Sequence, residues 1–246
     1  MKLLVCISKT PDTEAKIQLT PDGKQLDTSG MKYIMNPYDE WYALVRALEL
    51  VEAQGGSVTV INVGPSSNDQ IIRKALAIGA HEAVRIDAEP TSAWFVAHQI
   101  AAFAKNENYD LIFCGKETID YNGSEVPAML AELLDLPFVA WASKLDMEGN
   151  TATLHRDIEG GVEIVKVATP FVVSAAKGMA EQRIPNMRGI MMAKRKPLKV
   201  VEPVAVDDPV SVVQYALPPK KKGVKLIEPE HIDELVRLLH EEAKVI

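Results

Sequence analysis

The sequence is poor in the residues that build metal centres and disulfide frameworks. Among its 246 residues there are only two cysteines, Cys6 and Cys114, and five scattered histidines. Each cysteine ends a short apolar run, and neither has histidine or carboxylate partners at metal-ligand spacing. We therefore expect buried cysteines in a reducing compartment, with no disulfide and no metal site.

The sequence also has no excess of positive charge and no long apolar run. With 27 Lys and Arg against 34 Asp and Glu, the net charge is −7, which argues against nucleic-acid binding. No apolar run of about 18 residues occurs, so we expect no membrane insertion. The N-terminus lacks the pattern of a signal or transit peptide. Together these features predict a cytoplasmic protein of the bacterial type.

No catalytic constellation is recognisable. No serine stands in a nucleophile elbow, and the acidic pairs have lysines nearby, as solvated faces do. A chain without a nucleophile or an acid–base set is more typical of a carrier, sensor or scaffold than of a hydrolase.

What the first half does contain is an alternation of strand-like and helix-like patterns, with an excursion and hairpin between the first two elements. This order predicts βαβ units and an α/β fold with a doubly wound, mostly parallel sheet, whose ligands bind beyond the carboxyl ends of the strands. The predicted strands are 2–8, 57–63, 83–87 and 110–114, and the predicted helices are 38–53, 71–79, 91–105 and 123–134.

The second half changes character. Residues 143–157 predict a β-hairpin, and 163–168 and 171–175 predict further antiparallel strands at the sheet edge. We assign residues 1–199 to a nucleotide-binding α/β domain and 200–246 to a C-terminal arm that includes a helix at 228–243. The arm contains many apolar residues but no domain pattern. It either folds back on its own domain or clasps a partner subunit.

The first candidate site is the loop between the strand at 110–114 and the next helix. A helix N-terminus presents unpaired N–H groups to a phosphate, Gly123 permits close approach, and Asp120, Asn122 or Ser124 could cap the helix. The alternative is a capped turn without a ligand. The loop consists of Gly115, Lys116, Glu117, Thr118, Ile119, Asp120, Tyr121, Asn122, Gly123, Ser124, Glu125 and Val126.

Two further loops lie at the same edge of the predicted sheet. Asn36, Pro37, Tyr38 and Asp39 precede the first long helix and offer groups for an adenine or a ribose, although they also fit a plain helix start. Val63 ends the second strand, before Gly-Pro. The convergence of three loops at one edge favours a nucleotide site.

Residues 182–197 form another notable stretch, in which three methionines are flanked by basic residues. Methionine surfaces adapt to varied partners, and a basic rim attracts acidic ones. The stretch therefore fits a docking surface, and it fits equally well a core-packing turn with solvated lysines.

Taken together, these stretches resemble the β subunit of electron-transfer flavoprotein over nearly the whole chain. The order and spacing of several short stretches carry the resemblance, rather than any single motif. These stretches are 3–9, 35–37, 63–65, 73–80, 110–115, 119–120, 156–161 with Pro170, and 184–196.

The resemblance implies an adenine nucleotide α-hydrolase-like fold and an electron carrier rather than an enzyme. It implies a heterodimer with an α subunit that holds most of a redox-active FAD, while this chain buries one structural AMP. Carried onto this chain, the AMP contacts fall at Cys6, Asn36 to Asp39, Val63 and Gly115 to Val126, with the phosphate against N–H groups near Gly123, Ser124, Glu125 and Val126.

The resemblance also implies a recognition loop for acyl-CoA dehydrogenases and related flavin dehydrogenases, which feed electrons from fatty acid β-oxidation toward a membrane electron-transfer flavoprotein:quinone oxidoreductase. Met187 takes the position of the family's docking leucine, which is a conservative change. The docking residues carried over are Met187, Arg188, Ile190 and Met191.

Two departures from the family pattern matter. Thr13 stands where many members have a tyrosine near the flavin. Electron-bifurcating members bind a second FAD in place of AMP with a different loop, of which residues 120–127 share only Asp120 and Val126. We therefore favour AMP over a second FAD, and the bifurcating subunit is the alternative.

Overall fold

A computed structural model describes residues 1–220 and 223–246, and within them the chain forms one nine-stranded sheet and one two-stranded sheet. The strands are β1 (Lys2–Cys6), β2 (Lys9–Pro11), β3 (Tyr33–Met35), β4 (Ser57–Val63), β5 (Glu82–Ile86), β6 (Leu111–Gly115), β7 (Phe138–Glu148), β8 (Thr151–Ile158), β9 (Gly161–Ala168), β10 (Phe171–Ala175) and β11 (Leu198–Val201). The helices are α1 (Asp39–Gln54), a short 3₁₀ helix (Ser66–Asn68), α2 (Asp69–Ile78), α3 (Ala93–Ala104), α4 (Val126–Leu134), α5 (Met187–Ala193) and α6 (Ile232–Glu241).

The large sheet has the order β11-β5-β4-β1-β6-β10-β7-β8-β9. Neighbouring strands from β11 to β7 run parallel, and β8 and β9 extend the sheet with antiparallel pairing. β2 and β3 form the separate antiparallel hairpin that was predicted in the excursion. The predicted fold class, a mostly parallel doubly wound sheet with an antiparallel extension, is confirmed.

Both faces of the parallel sheet are buried, as the continuous apolar strands predict. Successive side chains of a strand point to opposite faces. On β1, Leu3 and Val5 therefore belong to the core beneath α1 and α2, whereas Leu4 and Cys6 belong to the core beneath α3 and α4. This arrangement leaves the carboxyl ends of the strands as the edge where the loops meet.

The position of β10 differs from the sequence prediction. Residues 171–175 were expected as an antiparallel edge strand, but β10 lies between β6 and β7 and runs parallel to both. All five of its residues are buried. A fully buried apolar run is typical of an internal parallel strand, and its closeness in sequence to the hairpin was misleading.

The region after Gly178 contains two elements that no periodicity indicated. The short helix α5 packs on α2, and β11 adds a parallel strand beside β5 at the edge of the sheet. α5 has seven residues and β11 has four, so both are too short to show a clear hydrophobic periodicity. β11 runs across residues 199 and 200, where the proposed boundary between domain and arm was placed.

The first part of the arm, around Val204 and Asp208, contacts its own domain, whereas α6 buries no side chain. The Gln99 side chain bonds both backbone groups of Val204, and the Asp208 carboxylate accepts hydrogen bonds from the Thr91 and Ser92 hydroxyls. By contrast, α6 has no buried residue. It is shorter than the predicted helix at 228–243. None of the helices in the described part of the chain combines the length and apolar character needed to cross a membrane.

Candidate functional site

The topology creates one point at the sheet edge where the connections diverge. From β1 the chain passes through α1 to β4 on one side, and from β6 it passes through α4 toward β7 on the other. Ligands of doubly wound sheets bind at this switch point, outside the carboxyl ends of the strands.

A cavity of about 150 Å³ lies at this point, between α3 and α4. Its accessible surface is mostly apolar, and the polar groups among it include the buried side chains of Glu40 and Asn68; apolar walls with a few fixed polar groups are usual in ligand pockets. The apolar lining is Cys6, Ile7, Val63, Pro90, Val96, Ile100, Cys114, Val126 and Pro127, and the remaining lining is Ser8, Lys9, Glu40, Asn62, Asn68, Gly115, Glu117, Thr118 and Gly123.

The structure brings some of the predicted nucleotide-site residues to this cavity and places others beside it. Those that line it are Cys6, Val63, Gly115, Glu117, Thr118, Gly123 and Val126. Pro37, Tyr38 and Asp39, with Lys116, Glu117 and Ile119, line a separate hollow of about 290 Å³. Ile119, Asp120 and Tyr121 line another, of about 580 Å³, shared with the arm. Asn122, Ser124 and Glu125 line none of the three.

The loop between β6 and α4 is closed by its own hydrogen bonds. The Thr118 N–H donates to the Gly123 carbonyl (3.1 Å), and the Asn122 N–H donates to the Thr118 carbonyl (2.9 Å). In the described part of the chain, the N–H groups of residues 123–126 find no such acceptor. These groups are therefore free to bind an anion.

The start of α4 differs from the prediction. The helix begins at Val126 rather than at Gly123, and Glu125 is its N-cap without a side-chain capping bond. None of the three expected capping residues caps it, because the intervening residues form the tight turn of the loop. Asp120 instead accepts a hydrogen bond from the Tyr121 N–H.

The Asn36 side chain holds this loop in place through two hydrogen bonds to its backbone. The side chain is fully buried, donates to the Glu117 carbonyl (3.0 Å) and accepts from the Ile119 N–H (3.1 Å). Asn36 therefore acts on the loop through two backbone groups, which satisfies polar atoms that would otherwise be buried without partners. It does not itself line the cavity.

Glu40 is a functional candidate to which the sequence assigned no role. Its carboxylate lines the cavity and accepts hydrogen bonds from the Ser8 N–H (2.7 Å) and the Ser8 hydroxyl (2.6 Å). Burial raises the pKa of Glu40 from its ordinary value of 4.5 to about 8, because desolvation outweighs the hydrogen bonds from Ser8 and from the Asn36 side chain. A Cβ on Gly115 would lie 2.8 Å from the Glu40 Cγ, so only glycine fits at the end of β6.

The two cysteines, distant in sequence, are neighbours across β1 and β6. Both are buried, both are free thiols, and both line the cavity. The hydrogen bond to Cys114, reinforced by burial, raises the pKa of the Cys6 thiol. Within the described residues, no group of three or more His, Cys, Asp or Glu side chains could hold a metal ion.

The predicted docking segment is a short helix with exposed methionines. In α5, Asn186 caps the helix by accepting from the Gly189 N–H (2.8 Å). The side chains of Met187 and Met191 are 73% and 67% exposed. The four predicted docking residues, Met187, Arg188, Ile190 and Met191, all face solvent.

This segment is anchored on both sides. Arg183 forms a paired salt bridge with Glu52 on α1. Beyond α5, Arg73 donates to the Ala193 carbonyl, and Lys196 donates to three carbonyls at the end of α2. Lys196 is therefore a helix-capping group rather than part of a free basic rim.

Comparison with known proteins agrees with this architecture. The electron transfer flavoprotein domain model matches residues 24–206. The electron transfer flavoprotein subunit beta of Bacillus subtilis (strain 168) is 37% identical over 260 residues, covering all of both chains. The mitochondrial subunit beta of Arabidopsis thaliana is 34% identical over 257 residues, again covering all of both chains. The subunit beta of Homo sapiens is 32% identical over 231 residues, or 90% of each chain.

The fold is thus that of a doubly wound α/β protein with a cavity at its switch point. The chain belongs to the electron-transfer flavoprotein family, among its β subunits. This is a family of electron carriers rather than of enzymes in the ordinary sense.

Proposed function

We propose that this chain is the β subunit of a heterodimeric electron-transfer flavoprotein and that it holds one structural AMP in the switch-point cavity. The observation that carries the proposal is the free N–H cluster of residues 123–126 beside an apolar cavity. The cluster suits a phosphate, and the apolar walls suit a base.

The cavity is too small to hold AMP unless part of its wall moves. Its volume of about 150 Å³ lies below the roughly 300–1,000 Å³ of typical ligand pockets. The loop that follows β6 would therefore move outward when AMP binds. Its exposed tip, including Tyr121 and Asn122, is suited to such a movement.

We further propose that the α subunit carries most of the FAD and that the arm of this chain clasps it. The apolar side of α6 is uncovered, with Ile232 64% and Val236 51% exposed. An unpartnered apolar helix face of this kind favours an interface with another chain. FAD supplies the redox chemistry when it is bound, and this chain supplies a surface that helps to hold it.

The exposed face of α5 is the proposed docking site for flavin dehydrogenases of the acyl-CoA dehydrogenase type. Its methionines are flexible apolar groups on a helix whose flanks are fixed by Arg73 and Arg183, and such anchoring lowers the entropy lost on docking. Electrons would leave toward the membrane quinone oxidoreductase. The two free thiols favour a reducing compartment such as the cytoplasm.

The test is to co-express the chain with its α partner, denature the purified complex, and quantify AMP and FAD by chromatography. We expect about one of each per heterodimer. Gly123→Asp places a negative charge beside the phosphate site without a clash, since the nearest atom to a Cβ there lies 3.6 Å away. It should release AMP and leave FAD bound. Asn150→Asp, which adds the same charge at the exposed turn between β7 and β8, is the matched control and should retain both.

Two outcomes would contradict this proposal. Two FAD and no AMP per heterodimer would identify a bifurcating subunit instead. Equal AMP content in the two aspartate variants would show that the phosphate does not bind at residues 123–126.

A further inference from the structure

Three polar groups form a hydrogen-bonded chain that ends at the switch-point cavity. The Asn62 side-chain amide donates to the Ile7 carbonyl (2.8 Å), and the Asn68 amide donates to Asn62 Oδ1 (2.9 Å). Asn68 lines the cavity and is 1% exposed. Among the described residues, its Oδ1 has no hydrogen-bond partner.

The direction of this chain is fixed by its first member. A backbone carbonyl only accepts hydrogen bonds, so Asn62 must turn its NH₂ group toward Ile7 and its oxygen toward Asn68. Asn68 must then turn its own NH₂ group toward Asn62. The free end of the chain is therefore an acceptor, and an amide flip at either asparagine would break a buried hydrogen bond.

The backbone around Asn68 is built to bring its amide to this position. A Cβ on Gly64 would overlap the Asn68 side-chain nitrogen, so the glycine makes room for the side chain. Asn68 itself closes the short 3₁₀ helix that precedes α2. A buried acceptor without a partner is unfavourable by itself, so a group that enters the cavity and donates to Asn68 Oδ1 would relieve this cost.

The surroundings indicate which part of a nucleotide this group would meet. Val63 on β4 and Val96 and Ile100 on α3 line the cavity with Asn68 and give that side an apolar wall. The free N–H groups of residues 123–126 follow β6, on the other side of β1. A nucleotide with its phosphate at that loop would direct its base toward Asn68.

We propose that Asn68 Oδ1 accepts a hydrogen bond from the exocyclic amino group of the bound adenine and thereby selects adenine over hypoxanthine. The inference rests on the proposed AMP site. Adenine carries an amino group where hypoxanthine carries a carbonyl, so IMP would set an acceptor against the Asn68 acceptor. An unpaired buried acceptor weakens binding by about 1–3 kcal/mol, which corresponds to roughly 5-fold to 150-fold in affinity.

The experiment uses the heterodimer, stripped of nucleotide by denaturation and refolded with FAD in the presence of AMP or IMP at several concentrations. Retained nucleotide is quantified by chromatography. The wild-type protein should prefer AMP by a factor in the range above. Asn68→Ser, whose side chain is too short to span the gap and whose hydroxyl donates as well as accepts, should bring the ratio close to one. Ser67→Ala, at the exposed neighbouring position, is the matched control and should keep the wild-type ratio.

A second variant guards against misfolding of the first. Asn62→Ala removes the partner that fixes the Asn68 amide, so the amide becomes free to rotate and IMP should gain affinity relative to AMP. Equal binding of AMP and IMP by the wild-type heterodimer, or a wild-type ratio in both asparagine variants, would overturn the role of Asn68 and leave the AMP site standing. Retention of neither nucleotide by the wild type would overturn the AMP site and this inference together.

Discussion

Replacement of Glu40 by glutamine should make the protein more stable at neutral and alkaline pH. The buried carboxyl has a pKa of about 8 in the folded chain, against an ordinary value of 4.5. Between these values the folded state binds a proton that the unfolded state has released. The free energy of unfolding therefore falls as pH rises through this window, and the loss is complete above pH 8.

The magnitude follows from the width of the window. Each pKa unit corresponds to about 1.4 kcal/mol, so the full contribution approaches about 5 kcal/mol. Glutamine does not titrate. Its oxygen accepts from the Ser8 N–H and its NH₂ group donates to the Ser8 hydroxyl, so the variant keeps both hydrogen bonds with Ser8.

The assay is urea unfolding followed by circular dichroism at several pH values from 5 to 8.5. The variant and the wild type should be close in stability at pH 5, and the variant should gain by up to about 1.4 kcal/mol per pH unit above that. Glu52→Gln is the control, because Arg183 lowers the pKa of this exposed carboxyl and no such gain with pH is expected. A stability difference for Glu40→Gln that is constant across the range would refute the reasoning, since burial would then not govern the charge of this group.

Three further predictions concern the loop, the arm and the docking helix. Asn36→Ala removes two buried hydrogen bonds and should lower the free energy of unfolding, measured in urea, by about 2 kcal/mol. It should also reduce AMP retention, and unchanged retention would show that the loop between β6 and α4 has no role in binding AMP. Leu235→Glu on α6 should raise the dissociation constant of the heterodimer, measured by titration with the α subunit, at least about tenfold. The melting temperature of the isolated chain should not change, because this side chain is already 41% exposed. Met187→Asp should slow electron acceptance from an acyl-CoA dehydrogenase about tenfold or more, whereas Ile158→Asp, at an exposed position on β8, should not. Equal rates in the two variants would show that α5 is not the docking site.

The parts of the fold that were predicted correctly depend on local patterns. β1, β4 and β6 are short apolar runs, and each alternates with an amphipathic helix, so sequence periodicity identifies them. The order of β10 in the sheet depends instead on pairing with β6, a strand some sixty residues earlier in the chain, and no local pattern records that pairing. The same applies to β11, whose four residues reach the sheet only because α5 and Lys196 hold the preceding segment against α2.

The site shows the same division. The topology of a parallel sheet brings the segment before α1 and the loops after β4 and β6 to one edge, so the sequence could predict a site there, and that site stays a prediction. The sequence assigned no role to Glu40 or Asn68, because their significance comes from burial and from partners at Ser8 and Asn62. One signal was present: Asn62 is a polar residue inside an otherwise apolar strand, and such a residue usually has a buried partner.

The placement of Cys6 and Cys114 gives the protein a built-in chemical probe. They are the only cysteines in the sequence, and both line the switch-point cavity at 8% and 3% exposure. If the loop after β6 moves outward as proposed, a thiol reagent would reach the two sulfurs while the loop is open, and the rate of modification would report that opening. A nucleotide seated in the cavity would shield both sulfurs at once, and the residence time of the ligand could be read from the unaltered protein without any introduced label.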